Sequence, residues 1–544
     1  MTRIASSLRT PSSSTHRQEM ASPMRARESS RNIPAKVVGS EREDGNPGGR
    51  GSAEIAFVLA VTLVGGWLRF RALGRDSLWF DEVISALQAH LPFWDLLREV
   101  RRDVHPPLYH LLLRGTLTFG DSEAVLRFPS ALFGTLSIPA LYLLGRAWFS
   151  GPVGALAALL LALSSGHLWH SQDARTYTLL TFEGILSWYF FGKLLEVPNR
   201  AIWVGYFLSS GAILYTHYYG VLLLLPQTAL VFLVGRRGEV ARSFCTRWLM
   251  VQGGLALLFL PWVTFAATSI QLGRLGWIER YHPLAQIAAG LLRFTAGYPG
   301  MAREALQDRR LANMLALLCG VLIIGLAAAA LVRDENGKPR SLRTALRERP
   351  ILLCLWYLMA PIVMMLAISL FRRLLVPRHM LMTAPPFLLL VALGLSRLLS
   401  RRMIVATALV VSLLVPGLIA RLATPRTRDY RAAAALIAGE ATPGDVLLVY
   451  EEHARLLLEY YLRSRESEFR WCPRSIRDNS LEATQACLDE ARKVWVVSSH
   501  EPIRSEGGSH VLSVLEEQFM LVRRDGLFGI RIFLHQRRPA DSQE

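Results

Sequence analysis

The residues most able to do chemistry begin with a carboxylate pair, Asp81-Glu82, inside Ser77-Leu-Trp-Phe-Asp-Glu82. A sheltered carboxylate is the side chain that takes a proton from a hydroxyl nucleophile. Four further polar clusters interrupt apolar sequence. Asp103-Val-His-Pro-Pro-Leu-Tyr109 places His105 before two prolines that fix the backbone. His167-Leu-Trp-His-Ser-Gln-Asp-Ala-Arg-Thr-Tyr177 carries Asp173, Arg175 and Tyr177. Thr216-His-Tyr-Tyr-Gly220 carries His217 and Tyr218, and Phe371-Arg-Arg-Leu-Leu-Val-Pro-Arg-His379 carries Arg372, Arg373 and Arg378. Guanidinium groups grip phosphate oxygens in pairs, which an ammonium cannot do. Carboxylates with arginines therefore suit group transfer away from a phosphate. His105, His217 and His282 are candidate ligands for a divalent metal, although no pair of them has metal-motif spacing.

The elements that must hold these clusters are membrane spans. Of 544 residues, 51% are hydrophobic and only 19% charged, and the apolar residues fall in long blocks. This excludes an ordinary soluble enzyme, and five cysteines are too few for a disulfide scaffold. The apolar blocks predict spans at 53–70, 124–146, 151–168, 178–195, 201–216, 219–235, 249–267, 311–332, 351–370, 380–398 and 403–420, each near the length that crosses a hydrocarbon core of about 30 Å. The net charge of +18 sits mainly between these blocks, so it predicts topology and no nucleic-acid partner. Arg146, Lys193, Arg200, Arg236, Arg237, Arg242 and Arg247 share one side by parity. Arg333 to Arg349, Arg397, Arg401 and Arg402 join them. That side is expected to be cytoplasmic, together with the N-terminus, and every polar cluster above then falls on the outer face of the cell membrane. Arg372, Arg373 and Arg378 run against the rule in a short outward loop, so an anion is expected to neutralise them, either a substrate phosphate or plain lipid head groups.

The reading divides the chain into a disordered tail (1–50), a membrane domain (51–420) and an outward α/β domain (421–544). The tail is rich in Ser, Arg, Pro and Gly. The loop from Leu73 to Glu123 predicts an interfacial helix, with Phe80, Val83, Ile84, Leu87 and Leu91 on its apolar stripe. Asp81, Ser85 and Gln88 lie opposite, and Glu82 lies at the edge. In the last domain, strand-length runs at Val446–Tyr450 and Val494–Ser498 alternate with helical patterns at 429–440 and 451–465. Asp525-Gly526 predicts a hairpin turn. Cys472 and Cys487 are able to pair there, whereas Cys245, Cys319 and Cys354 are expected to be free. Glu451, Glu452 and His453 read as a solvated helix start.

Trp79-Phe-Asp-Glu82, His105-Pro-Pro-Leu-Tyr109, Leu126-Arg-Phe-Pro-Ser-Ala-Leu-Phe-Gly134, Ser171-Gln-Asp-Ala-Arg-Thr-Tyr177 and Pro377-Arg-His-Met380 together resemble the GT-C membrane glycosyltransferases. The likeness is narrower to the bacterial family 39 group, relatives of protein O-mannosyltransferases and the lipid A aminoarabinose transferase. It covers roughly residues 55–400. The resemblance implies transfer of a hexose or pentose from a polyprenyl-phosphate donor to a lipid, protein or glycan acceptor. It implies Asp81 as the catalytic first-loop Asp, a base or acceptor-positioning group, with Glu82 completing the acidic pair, Asp173 as the second-loop acidic residue, and in some relatives a divalent metal. Arg175, Arg378, Arg372 and Tyr177 are the candidate donor-phosphate contacts. His379 stands where many relatives have Tyr.

Two other classes compete. A flippase or transporter of lipid-linked sugars would carry broken helices near the midplane and repeated halves, and neither is evident in the sequence. A membrane-anchored binding module would place its working residues in the last domain, where no catalytic cluster is recognisable.

Overall fold

The computed structural model describes residues 47–103, 105–267, 282–295, 309–371, 375–398, 400–449, 451–464, 468–472, 481–489, 491–499 and 513–539. Most of the expected N-terminal tail, together with Arg372 and Arg373, lies outside the described residues. Helices occupy all eleven expected span positions, from α1 (Pro47–Phe70) to Ser400–Ala423. Among the described residues, seven helices are long and apolar enough to cross a membrane, or eight if a bent pair counts as one span. The bent pair is Gly151–Leu163 with Ser165–Ser171, at 63°. Ser164 caps its second half, its Oγ accepting the His167 amide at 3.3 Å.

Small residues set the helix spacing. A Cβ at Gly145 would stand 2.7 Å from the Gly154 backbone, so these helices meet at a contact only glycine permits. One end of the bundle gathers the basic loops. Arg349 pairs with Glu239 at 3.7 Å, Arg397 with Glu348 at 3.6 Å, and Arg146 donates to the Tyr142 hydroxyl at 3.1 Å.

At the other end the first loop forms three helices, α2 (Phe80–His90), α3 (Phe93–Val100) and α4 (Leu108–Thr116), before the long α5 (Glu123–Trp148). The fold shows which way the two stripes of α2 face. Glu82, Ser85 and Gln88 are buried and Leu87 is exposed. The polar stripe faces the protein because its partners, arginines and an aspartate from other segments, are there.

The C-terminal domain is a five-stranded sheet, β1 (Val446–Val449), β2 (Arg470–Trp471), β3 (Lys493–Ser498), β4 (Phe519–Leu527) and β5 (Ile530–Arg537), in the order β2-β1-β3-β5-β4. β1 runs parallel to β2 and β3, and β5 runs antiparallel to β3 and β4. The hairpin exists, but its turn is Phe528-Gly529, since Leu527 pairs with Ile530. Asp525 and Gly526 lie inside β4, paired with Ile532 and Arg531. Gly529 has φ of +69°, the left-handed conformation that a tight hairpin turn requires and glycine adopts freely. Cys472 and Cys487 form a disulfide, with Cα atoms 5.7 Å apart, and Cys245 and Cys354 are free. The Cys319 side chain lies outside the described ones.

This domain shares its core with the first loop. Leu78, Val83, Tyr109 and Leu126 cluster with Tyr430, Ile437 and Leu457. Polar contacts tighten the joint: the Tyr461 hydroxyl accepts the Leu78 amide at 2.7 Å, Ser77 donates to Asp429 at 2.8 Å, and Arg431 pairs with Glu123 at 3.0 Å.

Candidate active site

Glu82 organises the site from within. Its carboxylate accepts Arg127 Nε at 2.7 Å and Arg127 Nη2 at 2.8 Å, a bidentate pair that is buried on both sides. It also accepts the Trp79 amide at 3.1 Å, closing the first turn of α2, and the Ala174 amide at 2.9 Å. One carboxylate therefore joins α2, α5 and the turn that carries Asp173. Glu82 is fully buried.

Asp81, one residue earlier, faces the other way. Its Oδ2 lies 3.3 Å from Arg378 Nη1, and each side chain keeps about a fifth of its surface accessible. Arg378 also packs over the Trp79 ring at 5.8 Å. It is held there by the 3-10 turn Pro377–Thr383, where Pro377 suits the first position of a helical turn.

Asp173 Oδ1 accepts Trp79 Nε1 at 2.6 Å, and His170 Nδ1 lies 3.5 Å from Oδ2. Burial alone would raise this carboxyl. The His170 hydrogen bond and the Arg426 charge outweigh burial and bring it down to about 2. Arg175 donates to Ser85 Oγ at 3.0 Å and to the Asp81 carbonyl at 3.3 Å, so it braces α2 from behind Asp81. Neighbouring carboxylates and burial oppose each other at Arg175, and its guanidinium stays charged.

Behind these lies a chain of rings. His105 and His217 meet edge to face at 4.8 Å, and His217 and His379 at 5.4 Å. Tyr177 lies 5.0 Å from His170 and 6.3 Å from His379. Burial and the nearby Arg175 push the His105 imidazole below its usual range, against the pull of Asp103. Burial would raise Asp103, but the His105 hydrogen bond and the Arg175 charge hold it well below the carboxylate range.

Two sequence candidates stand apart. Tyr218 accepts a hydrogen bond from Trp262 Nε1 at 3.1 Å, in a small cluster with α3, and His282 is exposed ahead of helix Pro283–Thr295. Among the described residues no group of three His, Cys, Asp or Glu side chains is arranged to hold a metal ion. Of the three candidate histidines, His105 and His217 meet in the ring chain.

A cavity of about 640 Å³ opens beside Trp79, Asp173 and Arg378. Its other walls include Arg293 on helix Pro283–Thr295 and Arg426 and Arg428 on the connector after the last membrane helix, which the sequence reading left out, and His453, which it read as part of a solvated helix start. The basic triplet spacing in Arg426-Thr-Arg428 was a signal, but nothing local tied it to Asp173.

The model of the dolichyl-phosphate-mannose-protein mannosyltransferase family matches residues 104–265, a stretch that includes His105, Asp173, Arg175 and His217. The sequence finds no match among curated proteins. Among solved structures, ArnT from Cupriavidus metallidurans is similar at 14% identity, in the apo state and bound to undecaprenyl phosphate. The TM-scores are 0.56 and 0.54, over 89% and 90% of this chain and 98% and 99% of that one. The apo oligosaccharyltransferase of Archaeoglobus fulgidus gives 0.53 at 14% identity, over 82% of this chain and 69% of that one. The helices, the first-loop helices and the C-terminal sheet thus form a multi-pass membrane protein of the GT-C glycosyltransferase fold, one that resembles the protein O-mannosyltransferases and ArnT.

Proposed function

We propose that the chain moves a sugar from a polyprenyl-phosphate donor to a hydroxyl-bearing acceptor at the outer face of the cell membrane. The observation that carries this reading is the pairing of Asp81 with Arg378 beside the cavity, since base and phosphate cation must lie within one sugar's reach. The undecaprenyl phosphate held by one similar structure supports the donor class. Asp81 takes the proton of the acceptor hydroxyl as its oxygen attacks the anomeric carbon. The bond from that carbon to the phosphate oxygen breaks, and the electron pair leaves with the polyprenyl monophosphate. Arg378 binds the phosphate and stabilises the charge it gains, and doing so releases Asp81 from its resting ion pair. Asp173, ionised, fixes the Trp79 indole and presents Oδ2 to a sugar hydroxyl. Arg175 and Tyr177 shape the wall behind the reacting phosphate. No step is assigned to a metal ion.

The outward placement is supported by the segregation of basic loops to the far end of the bundle and by the disulfide in the C-terminal domain, a bond that persists in oxidising compartments. The test uses the purified chain in lipid nanodiscs with polyprenyl-phosphate hexoses, pentoses and amino sugars, plus an envelope extract as acceptor. Release of polyprenyl phosphate with transfer of label to the extract is expected from one donor class. No release from any of them overturns the reading.

A further inference from the structure

We propose that Arg426, on the connector between the last membrane helix and the C-terminal domain, is a positioning residue for the transfer, tying the Asp173 turn to α2 at the cavity wall. This deepens the reading above and rests on it. The Arg426 side chain is almost wholly buried, yet it lines the cavity. Its Nη1 donates to the Trp169 carbonyl at 3.2 Å and to the Gln172 carbonyl, the peptide immediately before Asp173. Its Nη2 lies 3.4 Å from Glu82 Oε1, and its backbone amide donates to Asp76 Oδ2 at 3.2 Å. The guanidinium stacks over Trp169 at 5.5 Å. One side chain from the connector therefore touches the first loop and the last turn of helix Ser165–Ser171 that leads into Asp173. Only a planar donor fork spans two carbonyls and a carboxylate at once.

The same group supplies charge. Asp173 is faced by Trp79 just ahead of α2, His170 from helix Ser165–Ser171, Arg127 from α5, and Arg175, Tyr177, Arg378 and Tyr109. Arg426 adds a cation from the connector, one of the influences that keep the Asp173 carboxyl ionised against burial. Docking of the C-terminal domain sets the connector, so it also sets Asp173.

The test compares Arg426→Gln with Arg426→Lys in the full-length chain in nanodiscs, measuring kcat and KM with the donor that the wild type uses, each in the wild-type and the Asp173→Asn background. Gln keeps amide donors and loses the charge, whereas Lys keeps the charge and loses the fork. Both variants are expected to lower kcat by about tenfold or more, Arg426→Gln further than Arg426→Lys because it loses the charge as well, and these losses should shrink in the Asp173→Asn background. Equal losses with and without Asp173, or no effect in either variant, overturn the role. Should Arg426→Gln not fold, a double-mutant cycle of Arg426→Lys with Asp173→Asn decides. Non-additive losses support action through Asp173, and additive losses overturn it. A wild type that releases no polyprenyl phosphate overturns the function itself, whereas a working wild type with indistinguishable variants overturns only Arg426.

Discussion

Arg378 Nη1 lies 3.3 Å from Asp81 Oδ2, so the proposed phosphate cation and the proposed base neutralise each other at rest. The two come from separate segments, the turn before a late membrane helix and the start of the first-loop helix. Asp81→Asn should therefore leave the chain folded and cut turnover by about 10²–10⁴-fold, the range for a lost general base. Turnover of the purified variant at the wild-type rate would end the assignment.

Arg378→Lys should keep the charge but lose the paired hydrogen bonds to phosphate, so the donor KM rises while thermal stability holds. Titrating donor against both proteins checks this. Unchanged donor use in Arg378→Lys and also in Arg378→Ala would move the phosphate contact to Arg175.

Glu82 should behave unlike its neighbour. Glu82→Ala leaves the buried Arg127 cation unpaired, and breaking one partner of such a pair costs about 3–5 kcal/mol. A large fall in thermal midpoint is expected before any kinetic effect is readable. A stable but inactive Glu82 variant would instead make it a reacting group.

His110, buried on α4, has its imidazole pushed down to about 4 by burial. Its folded value lies below the unfolded one, so the stability it contributes is full above about pH 6.5 and is lost as pH falls toward 4. That window corresponds to roughly 3 kcal/mol at its acid end. His110→Phe should flatten the thermal midpoint between pH 6.5 and 4, which melting curves in detergent at several pH values will show.

The C-terminal domain should not fold when expressed alone from residue 421. Tyr430, Ile437 and Leu457 complete their core with Leu78, Val83 and Tyr109 of the first loop. Dispersed amide resonances from the isolated fragment would contradict this.

Local chemistry made much of this protein legible in its sequence. Long apolar blocks dictate helices wherever lipid must be crossed, and helices stand at all eleven expected positions. Short apolar runs between helical patterns likewise marked β1 and β3, because these strands are buried on both faces. The acidic pair, the Asp173 turn and the Pro377-Arg378 turn were visible as polar clusters in apolar surroundings. Tertiary structure alone decided which of them meet. The periodicity of α2 separated a polar stripe from an apolar one, but only the fold shows what Glu82, Ser85 and Gln88 meet, namely Arg127, Arg175 and Asp103. The hairpin turn slipped from Asp525-Gly526 to Phe528-Gly529 because cross-strand register, not the dipeptide alone, chooses the turn. Arg426 and Arg293 looked like ordinary basic residues until the connector and helix Pro283–Thr295 carried them to one cavity. A side chain's type is local, but whether a charge is solvated, paired or poised depends on what the fold brings to within a few ångströms of it.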